Sequence, residues 1–215
     1  MVTTSSRLID IYDRLNSHFG PQNWWPADTP FEVVVGAVLT QNTNWKNVEK
    51  SLNTLKQAGL LNFQSLAALS EAELAGHVRS SGYYNLKARR LKNLLQMIAT
   101  DYQGELDTLF REETSVARLA LLQVKGIGPE TADAILLFAG NHPIFVVDAY
   151  THRILSRHNL VPEECDYQEL QDVFMDNLSH DSSMFNQYHA LLVITAKKFC
   201  KKTNPLCETC PLKDV

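Results

Sequence analysis

The side chains of this 215-residue chain best suited to chemistry are one aspartate, three tryptophans, three cysteines and two basic clusters. Asp148 closes the short apolar run Ile144-Phe145-Val146-Val147 and stands before the helical stretch Ala149-Tyr150-Thr151-His152-Arg153. Taken alone, an aspartate there caps the free N–H groups of the next helix. Trp24 and Trp25 are adjacent in the turn Asn23 to Ala27, and Trp45 is the only other tryptophan. Indoles usually fill cores, but an electron-rich indole face also attracts a cation by roughly 0.5–2 kcal/mol. Cys200, Cys207 and Cys210 follow the spacing C-x6-C-x2-C, and Cys165 lies far upstream. Lys197, Lys198, Lys201 and Lys202 form one basic cluster, and Lys87, Arg89, Arg90 and Lys92 form another. Each cluster taken alone reads as a solvated helix face unless another motif brings an anion near.

One segment supplies such a motif, Leu122-Gln123-Val124-Lys125-Gly126-Ile127-Gly128-Pro129-Glu130-Thr131-Ala132. A helical stretch ends at Val124, two glycines bracket an isoleucine, and a proline opens the next helix. Proline suits a first helical turn because it has no N–H to leave unsatisfied. The glycines admit backbone torsions closed to other residues and let another backbone approach closely. The helix start beyond them offers free N–H groups and the positive end of a dipole, an arrangement that favours a phosphate. A tight helix–turn–helix without a ligand has the same local pattern.

The elements that position these residues are helices. Leu8, Tyr12, Leu15 and Phe19 share one helical stripe, and Leu91, Leu94, Leu95 and Ile98 another. Thr29-Pro30 and Ser70-Glu71 are plausible helix starts. Alternating strand patterns with hairpin turns are missing, so the fold class is all-α with about ten helices. Turn-rich breaks fall at Pro21 to Pro30 and at Gly140-Asn141-His142-Pro143. Hydrophobic residues at 45% and charged residues at 20% are ordinary for a soluble globular protein. No apolar run is long enough to span a bilayer and no signal peptide opens the chain, so the expected location is cytoplasmic with no membrane partner. The net charge of −4 argues mildly against nucleic acid, but binding depends on local patches.

The glycine-hairpin segment resembles the helix–hairpin–helix motif of the endonuclease III superfamily of DNA glycosylases. Asp148, twenty residues after Gly128, resembles the aspartate of that superfamily at the expected offset. The combination of Trp24-Trp25-Pro26, Leu39-Thr40-Gln41-Asn42-Thr43 and Ser81-Gly82-Tyr83-Tyr84-Asn85-Leu86-Lys87-Ala88 is most similar to the endonuclease III-like 3-methyladenine DNA glycosylases. The resemblance runs from about Trp24 to Arg153. It implies two helical lobes with a cleft between them: a central domain over 30–141 containing the hairpin, and a second domain from 1–29 plus 142–215. It implies that Lys125, Gly126, Ile127 and Gly128 grip a DNA phosphate, and that Gln41 or Asn42 fills the gap left by a flipped nucleotide. Asp148 would then face the cleft, stabilise the oxocarbenium-like sugar and position or deprotonate the attacking water, as carboxylates do in glycoside hydrolysis.

Three further expectations follow from the resemblance. Bifunctional members carry a Schiff-base lysine just before the Thr-Ala of the second hairpin helix, where this chain has Glu130; a carboxylate forms no imine, so a monofunctional enzyme without lyase activity is expected. Trp24, Trp25 and Trp45 would line the base pocket, where N-alkylated purines bring their own positive charge. The cysteines resemble the start of the superfamily's iron–sulfur loop, whose fourth ligand would fall at residue 216. Four thiolates are the usual set for a [4Fe–4S] cluster, so either the chain continues to that ligand, the preferred reading, or the cluster is degenerate. The expected partner is double-stranded DNA with damaged bases, met by a monomer in base excision repair. The rival readings are a glycosylase for oxidised pyrimidines or mismatched bases, and a noncatalytic helix–hairpin–helix DNA-binding protein.

Overall fold

A computed structural model describes residues 3–215, and among these residues every regular element is helical. The first helix, α1 (Thr4–Phe19), starts at a capping box in which Thr3 and Ser6 exchange hydrogen bonds. Eight helices follow in the middle of the chain: α2 (Pro30–Leu39), α3 (Trp45–Gln57), α4 (Phe63–Ala68), α5 (Glu71–His77), α6 (Tyr84–Asp101), α7 (Leu106–Phe110), α8 (Thr114–Gln123) and α9 (Pro129–Phe138). The last three are α10 (Ala149–Arg157), α11 (Tyr167–Met175) and α12 (Ser182–Lys198). The all-α expectation holds, with twelve α-helices among the described residues instead of about ten. The surplus comes from short helices such as α4 and α7, too brief for a period to register.

The chain divides into two compact units, Trp25–His142 and a discontinuous one made of Met1–Trp24 with Pro143–Val215. In the first unit, α2 buries every residue from Phe31 to Leu39, as expected of a helix at the centre of a core, and its one charged side chain, Glu32, pairs with Lys56. Thr29 caps it and Pro30 occupies its first position, both legible in the sequence. Helices α3, α6 and α9 pack against it, with Leu91, Leu94, Leu95 and Ile98 of α6 buried as their stripe requires.

In the second unit, α1, α10 and α12 enclose an aromatic core. Phe145 stacks on Phe174 at 3.8 Å between ring centroids and meets Phe185 and Tyr188 edge-on. Tyr188 is fully buried and donates its hydroxyl to the Leu8 carbonyl at 2.8 Å; burial pushes that phenol well up. The run Ile144 to Val147 is β-branched and buried but forms no strand, having no strand to pair with. Its carbonyls are taken by side chains instead: Gln171 Nε2 donates to Phe145 O at 2.7 Å, and His189 Nδ1 to Val146 O at 2.9 Å. Since a carbonyl only accepts, the His189 proton sits on Nδ1. These two bonds satisfy buried backbone that would otherwise be orphaned and fix the chain two residues before Asp148.

Candidate functional site

Asp148 adopts an extended backbone (φ −146°, ψ −176°) and caps α10. Its Oδ1 accepts three hydrogen bonds, from Tyr150 N at 2.9 Å, Thr151 N at 2.8 Å and Thr151 Oγ1 at 3.1 Å. Among the described residues Oδ2 has no hydrogen-bond partner. The residue is half-buried, so one oxygen is spent on the helix while the other is left for a ligand. Trp24 belongs to the same unit as Asp148 and packs on His189, ring centroids 6.1 Å apart. Trp24, His189, Val146 and Asp148 are thus linked through consecutive contacts. His189 carried no sequence signal, because a lone histidine on an apolar helix looks like core.

Trp25 and Trp45 come together in the other unit, at 5.1 Å and nearly perpendicular, with Phe138 of α9 tilted against Trp25 at 5.3 Å. Gly36 allows this: a Cβ there would lie 3.4 Å from Trp25 Cζ2, so the indole rests directly on the α2 backbone. All three rings remain partly exposed. The adjacent tryptophans therefore serve different units. Phe138 joins the cluster without any cue beyond being the last residue of an apolar helix.

The glycine segment is a hairpin between α8 and α9. Gly126 has φ +101°, in the left-handed half of the map that favours glycine, and Gly128 precedes Pro129 as the N-cap of α9. Ile127 is buried and its N–H bonds to Val124 O at 3.0 Å, so its side chain anchors the hairpin and is not presented to a ligand. Lys125 is exposed. Among the described residues the N–H groups of Gly126 and Gly128 make no hydrogen bond, which leaves them available for an anion. Arg118 of α8 grips Asp133 of α9 through two hydrogen bonds of 2.7 and 3.1 Å, tying the two hairpin helices together. Glu130 is exposed in the first turn of α9.

The segment before α3 divides its two candidates. Gln41 donates from Nε2 to Gly126 O at 3.2 Å and to Thr131 Oγ1 at 2.9 Å, and its Oε1 accepts from Arg90 Nη1 at 2.5 Å. Asn42 is exposed in a left-handed conformation (φ 53°), and its side chain makes no hydrogen bond within the fold. Asn42 is the freer of the two.

The cluster of Lys87, Arg89, Arg90 and Lys92 is not a single solvated face. Lys87 is 1% exposed and donates to Leu39 O at 2.7 Å and Ser81 O at 2.6 Å. Burial, and then the Arg90 guanidinium, bring its ammonium down to about 8. Lys92 donates to Ala67 O and Leu69 O, while Arg89 alone is well exposed, paired with Glu71. The charges that spacing placed on a surface instead satisfy loop carbonyls. At the other cluster, Lys197 lies over the Tyr150 ring at 5.8 Å and Lys198 over Phe19 at 5.2 Å, both side chains exposed.

Cys200, Cys207 and Cys210 line one cavity of about 440 Å³, shared with Arg7, Arg157 and Leu212. Arg157 donates to Cys200 Sγ at 3.2 Å and to the carbonyls of Lys201 and Lys202, and Arg153 donates to Cys200 O at 2.7 Å. Burial pushes the Cys210 thiol up, and its neighbours Cys200 and Cys207 add to this. Among the described residues no three such side chains converge closely enough to hold a metal ion. Thiols are the usual ligand type of an iron–sulfur cluster.

Residues 35–180 match the family model of the HhH-GPD superfamily base excision DNA repair proteins. Over 209 residues the chain is 46% identical to a provisionally named DNA repair glycosylase of Methanocaldococcus jannaschii, covering 96% of this chain and 94% of that one. It is 29% identical to the endonuclease III of Thermotoga maritima over 90% of this chain and 85% of that one. Among solved structures, the H. pylori 3-methyladenine DNA glycosylase bound to 1,N6-ethenoadenine is 34% identical, with a TM-score of 0.77 over 91% of this chain and 97% of that one. A trapped endonuclease III–DNA covalent intermediate has a TM-score of 0.83 at 23% identity, over 99% of this chain and 94% of that one, a likeness of fold alone.

Proposed function

This chain belongs to the HhH-GPD superfamily of base excision DNA repair proteins, and we propose that it is a monofunctional glycosylase excising alkylated purines, such as 3-methyladenine, from duplex DNA. The observation that carries the chemistry is the divided carboxylate of Asp148, with Oδ1 bound to α10 and Oδ2 without a partner. In the reaction the C1′–N bond breaks and its electron pair leaves with the base, which neutralises a cationic 3-methyladenine. Oδ2 faces the positive charge that develops on the sugar and takes a proton from the water whose oxygen bonds to C1′. The products are a free base and an abasic site.

Support for the lesion class comes from the half-exposed indoles, which suit a cationic base, and from the likeness to the H. pylori enzyme. Cys200, Cys207 and Cys210 would supply three ligands to an iron–sulfur cluster, which when bound would cross-link the loop to the end of α12. The high-lying Cys210 thiol would have to lose its proton on binding.

The deciding experiment is a panel of duplexes, each with one defined lesion, incubated with the parent protein and with Trp45→Ala. The parent should release 3-methyladenine far faster than any oxidised pyrimidine. Trp45→Ala should lose about tenfold on the cationic lesion, the order expected for one desolvated cation–π contact. Preference for an oxidised pyrimidine would move the enzyme to the other substrate class, and binding without release from any lesion would make it a noncatalytic DNA-binding protein.

The monofunctional reading has a separate test. With Glu130 where a Schiff-base lysine would stand, borohydride added during turnover should trap no protein–DNA adduct. A covalent adduct with a lesion or abasic duplex would show that another amine, such as Lys125, performs lyase chemistry.

A further inference from the structure

Three side chains of α6, each three residues after the last, run along one stripe and bind loops that the proposed reaction needs. Lys87 holds Leu39 O and Ser81 O, Arg90 holds Gln41 Oε1, and Asn93 Nδ2 donates to Lys125 O at 2.9 Å. Arg90 is central to the stripe. A guanidinium can only donate, so it fixes which way round the Gln41 amide lies: oxygen toward Arg90, NH2 toward Gly126 O and Thr131 Oγ1. The hairpin also rests on the arginine's stem, since a Cβ at Gly126 would fall 2.4 Å from Arg90 Cγ. The Arg90 Nε–H is buried without an acceptor. Such a group opposes folding, and a shorter neutral side chain would avoid it.

We infer that Arg90 is a positioning residue for the hairpin, orienting the Gln41 amide so that the hairpin carbonyls are held and the Gly126 and Gly128 N–H groups are preset for a DNA phosphate. This rests on the reading that the hairpin grips DNA. It also assigns Gln41 to the hairpin's support and leaves insertion into the duplex to Asn42. The arginine itself need not touch DNA. Its effect passes through a neutral amide, so replacing either partner should undo the same arrangement.

The experiment compares Arg90→Met, Gln41→Ala, the double variant and Arg90→Lys. It measures Kd for an undamaged duplex over a range of salt. Each single variant should bind about tenfold more weakly, as for the loss of one charge-assisted hydrogen bond. The double variant should bind no more weakly than either single one. The slope of log Kd against log salt should stay nearly unchanged in Gln41→Ala and in Arg90→Met alike, because the hairpin N–H groups are neutral and Arg90 itself meets no phosphate. Arg90→Lys, still a donor to Gln41, should recover most of the affinity.

Parent-like affinity in Gln41→Ala would overturn the inference, as would losses that multiply in the double variant. Should Arg90→Met fail to fold, the affinity of Gln41→Ala against that of the parent carries the test. Binding to undamaged DNA requires no excision, so a parent protein that released no base would defeat the proposed reaction and leave this comparison standing.

Discussion

Asp148→Asn is expected to lower single-turnover base release by about 10³-fold while leaving duplex affinity within about twofold of the parent. The expectation follows from the two oxygens of the carboxylate. Oδ1 accepts from Tyr150 N, Thr151 N and Thr151 Oγ1, and an asparagine oxygen can keep all three bonds, because Asn and Asp cap helices about equally well. What asparagine removes is the negative charge and the free Oδ2, replaced by an NH2 group that neither stabilises a sugar cation nor takes a proton from water. The substitution thus separates the chemical role from the structural one. Asp148→Ala would remove both, adding a stability loss of about 1 kcal/mol from the missing cap. An Asn variant that excised at the parent rate would leave Asp148 as a cap only, and the water would need another activating group.

The fold and the site differed in how far the sequence exposed them. The hairpin was legible because its signals are local: glycine and proline act on the backbone where they stand, and no distant partner is needed to read Gly126 to Pro129. Asp148 was legible as a cap for the same reason. The spent Oδ1 and free Oδ2 were not, since they depend on how Thr151 turns in three dimensions. Lys87 misled most. In a sequence, a lysine beside two arginines reads as surface, yet here its ammonium is buried because Leu39 O and Ser81 O need a donor. A carbonyl's need for a partner is invisible until the chain is folded. Trp24 and Trp25 show the converse limit: adjacency in sequence gave them one role, whereas their rings pack on His189 and on Trp45. The cysteine spacing placed three thiols on one cavity, but spacing alone does not bring them to ligand distance.

The ion pair between α8 and α9 carries the second large effect. Arg118 is 21% exposed and Asp133 fully buried, so the two ends of the pair are unequal. Arg118→Met leaves the buried Asp133 without its bidentate guanidinium, and breaking a pair from this side should cost about 3–5 kcal/mol of stability. Asp133→Leu leaves the arginine, which can turn partly toward water, so its cost should be smaller, about 1–2 kcal/mol. Replacing both by Met and Leu removes the charge imbalance and should recover most of the larger loss. For a chain of this size, Arg118→Met then corresponds to a fall in Tm of roughly 6–20 °C. Denaturant and thermal unfolding of the three variants would check the order. Single variants within 1 kcal/mol of the parent, or a double variant as unstable as Arg118→Met, would contradict it. The pair matters to function through the hairpin: Ile127 and Val124 are buried at the turn, and Arg118 and Asp133 tie together the helices α8 and α9 that carry Gly126 and Gly128.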